Sequence, residues 1–122
     1  MEYNSGVAIV DDEPKVVRTY ELLFKRRQIP LSFYAYDGAE AIMKFKKANP
    51  RPKLVIIDYR LRTMTGLDVL KAIIAEEPAT KIIFISGDDN ARKMSIDAGA
   101  HLFLKKPVGI KEITEAINTL LV

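Results

Sequence analysis

The stretch Leu54-Val55-Ile56-Ile57-Asp58 decides the fold, because it is an uninterrupted apolar run that ends at a carboxylate. Short Val/Ile/Leu runs separated by helix-like stretches are typical of parallel strands buried on both faces. The carboxyl ends of such strands share one edge of the sheet, where open α/β folds bind their ligands. Three other runs end in the same way: Val7 to Val10 before Asp11 and Asp12, Ile82 to Ile85 before Ser86, and Leu102 to Leu104 before Lys105, Lys106 and Pro107. We therefore expect these polar side chains to converge at one edge.

Length and composition are those of an ordinary soluble domain. Of the 122 residues, 48% are hydrophobic and 29% are charged, so we expect one globular domain over residues 1–122. The chain has no cysteine, which excludes disulfides and thiolate metal sites. No apolar run approaches the roughly 20 residues that span a bilayer, and the first residues lack the pattern of a signal peptide. We therefore predict a cytoplasmic protein without a membrane anchor.

The chain is basic, with a formal net charge of +3 and a pI near 9.1. Its lysines and arginines are spread along the sequence, and no nucleic-acid recognition motif accompanies them. Solvated helix surfaces account for basic residues distributed in this way. We therefore expect no direct binding of nucleic acid.

Helix signals separate the apolar runs. The predicted fourth helix has only a narrow apolar stripe of Ala91, Met94 and Ala98, so it should be the least firmly packed, and Gly99 is a natural left-handed C-cap. The last helix is strongly amphipathic. The first predicted helix follows Asp12 and has Pro14 in its first turn, and the second runs from a capping box at Asp37 and Glu40 to a point before Asn49-Pro50. The third runs from near Thr65 to Glu77 and the fourth from Asp89 to Ala98. The predicted buried face of the fifth is Ile110, Ile113, Ile117 and Leu120.

Leu31 to Tyr36 alternates apolar and more polar residues, which favours an edge strand. The result is five βα units, and we predict an α/β fold: a doubly wound (βα)5 flavodoxin-like sandwich with a parallel five-stranded sheet of order 2-1-3-4-5. This order places the first and third strands side by side. Asp11, Asp12 and Asp58 should then meet.

Four motifs in this order resemble the receiver domain of two-component response regulators: Val10-Asp11-Asp12-Glu13, Ile57-Asp58 with Gly66 eight residues later, Ser86-Gly87, and Lys106-Pro107. The resemblance covers the whole chain. It implies that Asp58 is the phosphoacceptor and that Ser86 and Lys106 bind the phosphoryl oxygens. The implied phosphodonor is a sensor histidine kinase or a histidine phosphotransfer protein. A cis peptide bond between Lys106 and Pro107 is also implied.

The acidic residues indicate a bound Mg²⁺ ion. Neighbouring carboxylates cannot all stay ionised and also receive an anionic group unless a cation lies between them. Oxygen ligands suit a hard cation, whereas a single histidine and no cysteine argue against zinc. The resemblance implies that Asp11, Asp12, Asp58 and the backbone carbonyl of Arg60 are the ligands.

The resemblance also implies a conformational switch. Ser86 and Phe103 occupy the positions that respond to phosphorylation in the family, although Phe103 is equally well explained as a core aromatic. The responding surface would be the fourth helix, fifth strand and fifth helix, which is also the usual family interface for a homodimer. Arg60 and Asp88 flank the phosphoryl group in the family. Their opposite charges could pair, and we expect them to tune the lifetime of the phosphorylated state.

Two other functions are open at this point. A phosphatase of the haloacid dehalogenase type also uses an aspartate nucleophile and Mg²⁺, but normally shows Asp-x-Asp after its first strand and an added cap. A pseudo-receiver would keep the fold without phosphotransfer. The intact motifs favour a domain that catalyses only its own phosphorylation and dephosphorylation and is otherwise not an enzyme. The sequence names neither the kinase nor the downstream effector, and it is compatible with a stand-alone domain or with part of a longer regulator.

Overall fold

The structure is a computed structural model that describes residues 5–121, and five parallel strands form one sheet in that range. The order β2-β1-β3-β4-β5 confirms the predicted topology, with β2 at an edge. The strands are β1 (Val7–Val10), β2 (Leu31–Ala35), β3 (Leu54–Asp58), β4 (Lys81–Ser86) and β5 (Leu102–Lys105). The helices are α1 (Pro14–Arg27), α2 (Gly38–Lys47), α3 (Gly66–Glu76), α4 (Asn90–Ala98) and α5 (Ile110–Leu121).

The central strands bury both of their faces. In β1, Ala8 and Val10 belong to a core shared with α2, α3 and α4, whereas Val7 and Ile9 belong to a second core shared with α1 and α5. Every residue of β1 and β3 is buried. This two-sided burial explains why these strands are continuous apolar runs rather than alternating ones. Full burial of a large apolar side chain stabilises the fold by about 1.5–3 kcal/mol, so the sheet is a rigid platform for the residues at its edge.

The N-terminus of α2 is capped by Asp37 as predicted, but the reciprocal bond of its capping box is shifted by one residue. The Asp37 carboxylate accepts a hydrogen bond from the Glu40 amide at 2.8 Å, as expected of an N-cap. The Glu40 carboxylate accepts from the Tyr36 amide at 2.7 Å, one residue before the cap, so the predicted capping box is closed one residue earlier than the motif specifies. A complete capping box opens α3 instead, between Thr65 and Asp68.

The fourth helix is weakly packed, as predicted. It buries only Ala91 and Ser95, fewer residues than any other described helix, and it ends at Gly99 with φ 121°. The predicted stripe is wrong at Met94, which is 40% exposed. Ser95 is buried in its place, because its small hydroxyl donates to the Arg92 carbonyl at 3.0 Å and is therefore satisfied within the helix.

One position of the predicted apolar face of α5 is also wrong. Ile113 and Ile117 are buried, but Ile110 is 55% exposed. Ile110 is the first residue of the helix, and no preceding helical turn lies beside it to cover its side chain. None of the described helices is long and apolar enough to cross a membrane.

Candidate functional site

Three carboxylates meet at the carboxyl edge of the sheet. Val10 pairs with Ile57 in the β1–β3 ladder, so Asp11 and Asp58 leave neighbouring strands side by side. One carboxylate oxygen from each of Asp11, Asp12 and Asp58 lies within 4.8 Å of the others. Asp11 is 6% exposed and Asp58 is 3% exposed, while Asp12 is half-buried. The predicted convergence of the three carboxylates is confirmed.

A lysine from the end of β5 balances part of this negative charge. Lys106 Nζ lies 2.5 Å from Asp58 Oδ1. This oxygen is buried and has no hydrogen bond of ordinary geometry within the described residues, so the ammonium group is its close partner. The other oxygen, Oδ2, accepts from the Arg60 backbone amide at 3.1 Å. The Lys106-Pro107 peptide bond is cis, as the resemblance implied.

The neighbouring lysine points elsewhere. Lys105 Nζ pairs with Asp89 Oδ2 at 2.8 Å, beside the start of α4. Successive side chains of a strand point to opposite faces, which separates these two lysines. Lys106 is therefore the lysine of the acidic edge, in agreement with the sequence analysis.

Ser86 ends β4 next to the carboxylates. It lines a shallow cleft together with Asp58, Arg60, Asp88 and Lys106. The Ser86 hydroxyl oxygen accepts a hydrogen bond from the Asp88 backbone amide at 3.0 Å. Its own proton is therefore available to another acceptor in the cleft.

The suggested pairing of Arg60 with Asp88 is not formed. No ion pair joins them in the part of the chain that the structure describes, although both line the same cleft. The Asp88 carboxylate instead accepts from the Asn90 backbone amide at 2.9 Å, at the first turn of α4. A nearby backbone amide thus holds this carboxylate, and the Arg60 side chain is left exposed. A role of these two residues in tuning stays a prediction.

Burial and mutual repulsion perturb the protonation of the site. Burial raises the pKa of Asp11 to about 6, with further contributions from Asp58 and Asp12, while the Glu13 amide and Lys106 oppose the rise. Burial also raises the pKa of Asp58 despite the opposing Lys106 ammonium. Burial alone would lower the pKa of Lys106, but the Asp58 carboxylate and the more distant charges of Asp11 and Glu13 raise it. The site therefore carries more negative charge than Lys106 neutralises.

Gly66 holds the loop after β3 against the end of that strand. Its backbone amide donates to the Tyr59 carbonyl at 2.7 Å. A Cβ atom at this position would collide with the backbone carbonyl oxygen of Asp58. A glycine at position 66 is thus a steric requirement of the loop, which explains why this glycine belongs to the motif.

Two residues near the site were not predicted from the sequence. Tyr20 borders a cleft together with Asp11 and Lys106, and burial and then the charges of Asp11 and Asp58 raise its pKa. The Arg92 guanidinium lies 4.6 Å from the ring centroid of Phe103, which is 7% exposed. Arg92 stands on the exposed side of α4, where no sequence signal separates it from a solvated charge.

Comparisons with known proteins agree with this geometry. A model of the response regulator receiver domain matches residues 7–118. The chain is 31% identical to the chemotaxis protein CheY of Thermotoga maritima, over 92% of this chain and 93% of that protein. It is 29% identical to the probable transcriptional regulatory protein TcrX of Mycobacterium tuberculosis, over 94% of this chain but 49% of that protein. The chain spans about half the length of the first curated relatives it matches.

A solved structure of related sequence has the same fold. The CheX–CheY–BeF3–Mg²⁺ complex from Borrelia burgdorferi contains a chain that superposes with a TM-score of 0.89 at 27% identity, covering 97% of this chain and 90% of that one. The receiver domain protein of Methanospirillum hungatei, at 22% identity, superposes with a TM-score of 0.87. The family match over most of the sequence and the shared fold lead to one conclusion: this chain belongs to the response regulator receiver domain family.

Proposed function

We propose that this receiver domain accepts its phosphoryl group on Asp58. The observation that carries the proposal is the meeting of three carboxylates within 4.8 Å of one another, one of which has a lysine ammonium 2.5 Å away. Of the three, Asp58 is the carboxylate in contact with Lys106, and it lines the same cleft as Ser86. It is therefore the carboxylate best placed to become an acyl phosphate.

The transfer uses groups that the fold already positions. An Asp58 carboxylate oxygen attacks the phosphorus of a phosphohistidine, the P–N bond breaks, and the leaving imidazole nitrogen takes the electron pair and a proton from water. Lys106 balances the charge of the phosphoryl oxygens, an interaction of about 4 kcal/mol for unit charges ~4 Å apart at an effective dielectric of ~20. The Ser86 hydroxyl donates its available proton to another of these oxygens.

The donor set of the acidic edge fits Mg²⁺. Asp11, Asp12, Asp58 and the Arg60 carbonyl would supply only oxygen atoms, which this ion prefers. The three converging carboxylates and the raised pKa of Asp11 both favour a cation there. When bound, Mg²⁺ offsets the carboxylate charge and polarises the phosphoryl oxygens. The Mg²⁺ in the Borrelia complex supports this assignment.

The response to phosphorylation would involve the neighbouring surface of α4, β5 and α5. Ser86 would give up its bond from the Asp88 amide as it turns toward the phosphoryl group. Phe103 is already buried beneath Arg92, so phosphorylation would stabilise this inward position rather than create it. The weak packing of α4 supports its choice as the element that moves.

The partners follow from this chemistry. The donor would be a sensor histidine kinase or a histidine phosphotransfer protein in the cytoplasm, and the α4–β5–α5 surface would bind an effector or a second copy of the domain. We propose that the domain catalyses only its own phosphorylation and dephosphorylation.

Phosphorylation in the absence of a kinase tests the proposal. Purified protein is incubated with Mg²⁺ and phosphoramidate, and its intact mass is measured. The wild type should gain one phosphoryl group that hydroxylamine removes, and EDTA should prevent the gain. Asp58→Asn should show no adduct, whereas Asp97→Asn, at an exposed carboxylate paired with Lys93 on α4, should behave like the wild type. A wild type without an adduct, or an equal adduct in Asp58→Asn, would contradict the proposal.

A further inference from the structure

A second cleft lies at the opposite edge of the sheet from the carboxylates. It is bordered by the segments that lead into β3 and β4 and by the last turns of α2 and α5, and its volume is about 940 Å³. Small-molecule sites in proteins typically enclose about 300–1,000 Å³. The wall of this cleft is rich in cations, which are Lys46, Lys47, Arg51, Lys53 and Lys81.

Most of these charges lack a partner. Arg51 pairs with Glu76 at 2.9 Å and lies 5.5 Å from the ring centroid of Phe45. The four lysines form no ion pair with a carboxylate of residues 5–121. Glu77 is the acidic side chain among the described residues of the wall. The cleft therefore carries a clear excess of positive charge.

Two of the lysines stand where adjacent strands begin. The Lys81 amide donates to the Lys53 carbonyl at 2.8 Å, where β3 and β4 begin. Lys81 pairs with Leu54 in the ladder, so the side chains of Lys53 and Lys81 leave opposite faces of the sheet. Both lysines border the cleft at the end of the sheet, where one anion can contact both. Lys46 and Lys47 stand in the last turn of α2, where they also favour the negative end of the helix dipole. That explanation does not apply to Lys53 and Lys81, which belong to no helix.

A buried hydroxyl group stands in the wall of the cleft. Thr80, which also borders it, is 2% exposed, and its Oγ1 has no hydrogen-bond partner in the described range. Buried hydroxyls are normally hydrogen-bonded, so the Thr80 hydroxyl would gain a partner if its side chain turned toward an anion in the cleft. Pro52, Leu120 and other apolar residues complete the wall.

We propose that this cleft binds an anion with at least two linked phosphate groups, either a free oligophosphate or the phosphate chain of a nucleotide. Two linked phosphates match several lysines and the Thr80 hydroxyl better than a single one, because they carry more charge and span more of the cations that line the cleft. The apolar part of the wall would admit a nucleoside. The cleft is separate from the carboxylate site, because it lies at the other edge of the sheet from Asp58.

Calorimetric titration with pyrophosphate tests the proposal. EDTA is present so that Mg²⁺ cannot draw the anion to the carboxylate edge, and ionic strength is held constant. The wild type should bind with one-to-one stoichiometry. Lys53→Gln with Lys81→Gln should weaken binding at least about tenfold, the loss of one charge-assisted contact or more. Thr80→Val should weaken it severalfold. The matched control is Lys25→Gln with Arg26→Gln at the end of α1, which removes the same charge elsewhere and should change affinity less than about twofold.

The single histidine provides an independent readout. Burial and then the charge of Lys81 lower the pKa of His101. An anion bound beside Lys81 should raise that pKa in an NMR titration, and the Lys53→Gln, Lys81→Gln variant should lose this response. If ADP binds more tightly than pyrophosphate, the ligand of the cleft is a nucleotide. If the two bind equally, the ligand is a free oligophosphate. The proposal fails if pyrophosphate does not saturate, if both double variants lose affinity equally, or if adenosine or short duplex DNA alone binds.

Discussion

Replacing Asp11 by asparagine should stabilise the metal-free protein at neutral pH. Asp11 is 6% exposed, and burial raises its pKa from 3.8 to about 6. At ~1.36 kcal/mol per pKa unit, keeping this carboxylate ionised in the folded state costs about 3 kcal/mol. Asparagine retains the oxygen that accepts from the Glu13 amide at 2.9 Å and removes the charge. Since burying the amide group offsets part of the gain, we expect a net increase of about 1–3 kcal/mol in the free energy of unfolding.

The pH dependence of this gain has a definite sign. The pKa of Asp11 is higher in the folded than in the unfolded state, so the folded protein binds this proton more tightly. The stability that the bound proton contributes is fully present below pH 3.8 and is lost as the pH rises through about 6. The advantage of Asp11→Asn over the wild type should therefore be small near pH 4 and complete above pH 7. Mg²⁺ should reduce it, because the ion stabilises the wild-type carboxylates.

Urea unfolding followed by circular dichroism, in EDTA and at several pH values, measures the effect. Asp97→Asn is the control, because the Asp97 side chain is 63% exposed and its ion pair with Lys93 contributes little. A destabilised Asp11→Asn protein at neutral pH, or a difference between variant and wild type that does not vary with pH, would refute the reasoning.

Three further predictions concern the loop, the lifetime and the switch. Gly66→Ala should lower the free energy of unfolding by about 1–3 kcal/mol and slow phosphorylation, because the Cβ of the alanine would displace the Asp58 backbone. A variant with the stability and phosphorylation rate of the wild type would contradict this. Arg60→Ala, alone and with Asp88→Ala, should change the dephosphorylation rate severalfold, about 1 kcal/mol in the barrier, and unchanged lifetimes in both variants would leave these residues without a tuning role. Beryllofluoride with Mg²⁺ should alter amide exchange most between Gly87 and Phe103, and equal exchange in this segment would count against the switch.

The strand order and the meeting of the carboxylates could be predicted from the sequence because both depend on burial. Strands covered on two faces need continuous apolar runs, such as Leu54–Ile57, and their carboxyl ends must share an edge. Lys106 could be separated from Lys105 by its adjacency to Pro107 together with strand periodicity. These features are set by the chain's pattern and need no knowledge of individual contacts.

Individual side-chain partners could not be predicted in the same way. The Asp88 carboxylate can bond to Arg60 or to the Asn90 amide, and only the loop geometry selects the amide. Met94 and Ser95 are adjacent on a nine-residue helix, and the short apolar stripe of this helix does not fix which of the two faces the core. The basic cleft was also missed, because its lysines come from separate segments and resemble solvated charges in the sequence.

The most direct test of the central claim locates the phosphoryl group on one residue. Protein phosphorylated with phosphoramidate and Mg²⁺ is treated with borohydride, which reduces an aspartyl phosphate to homoserine, and the digested peptides are sequenced by mass spectrometry. We predict homoserine at position 58, with Asp11 and Asp12 unmodified. Homoserine at position 11 or 12, or at no position of a protein shown to carry the phosphoryl group, would contradict the assignment of Asp58 as the phosphoacceptor.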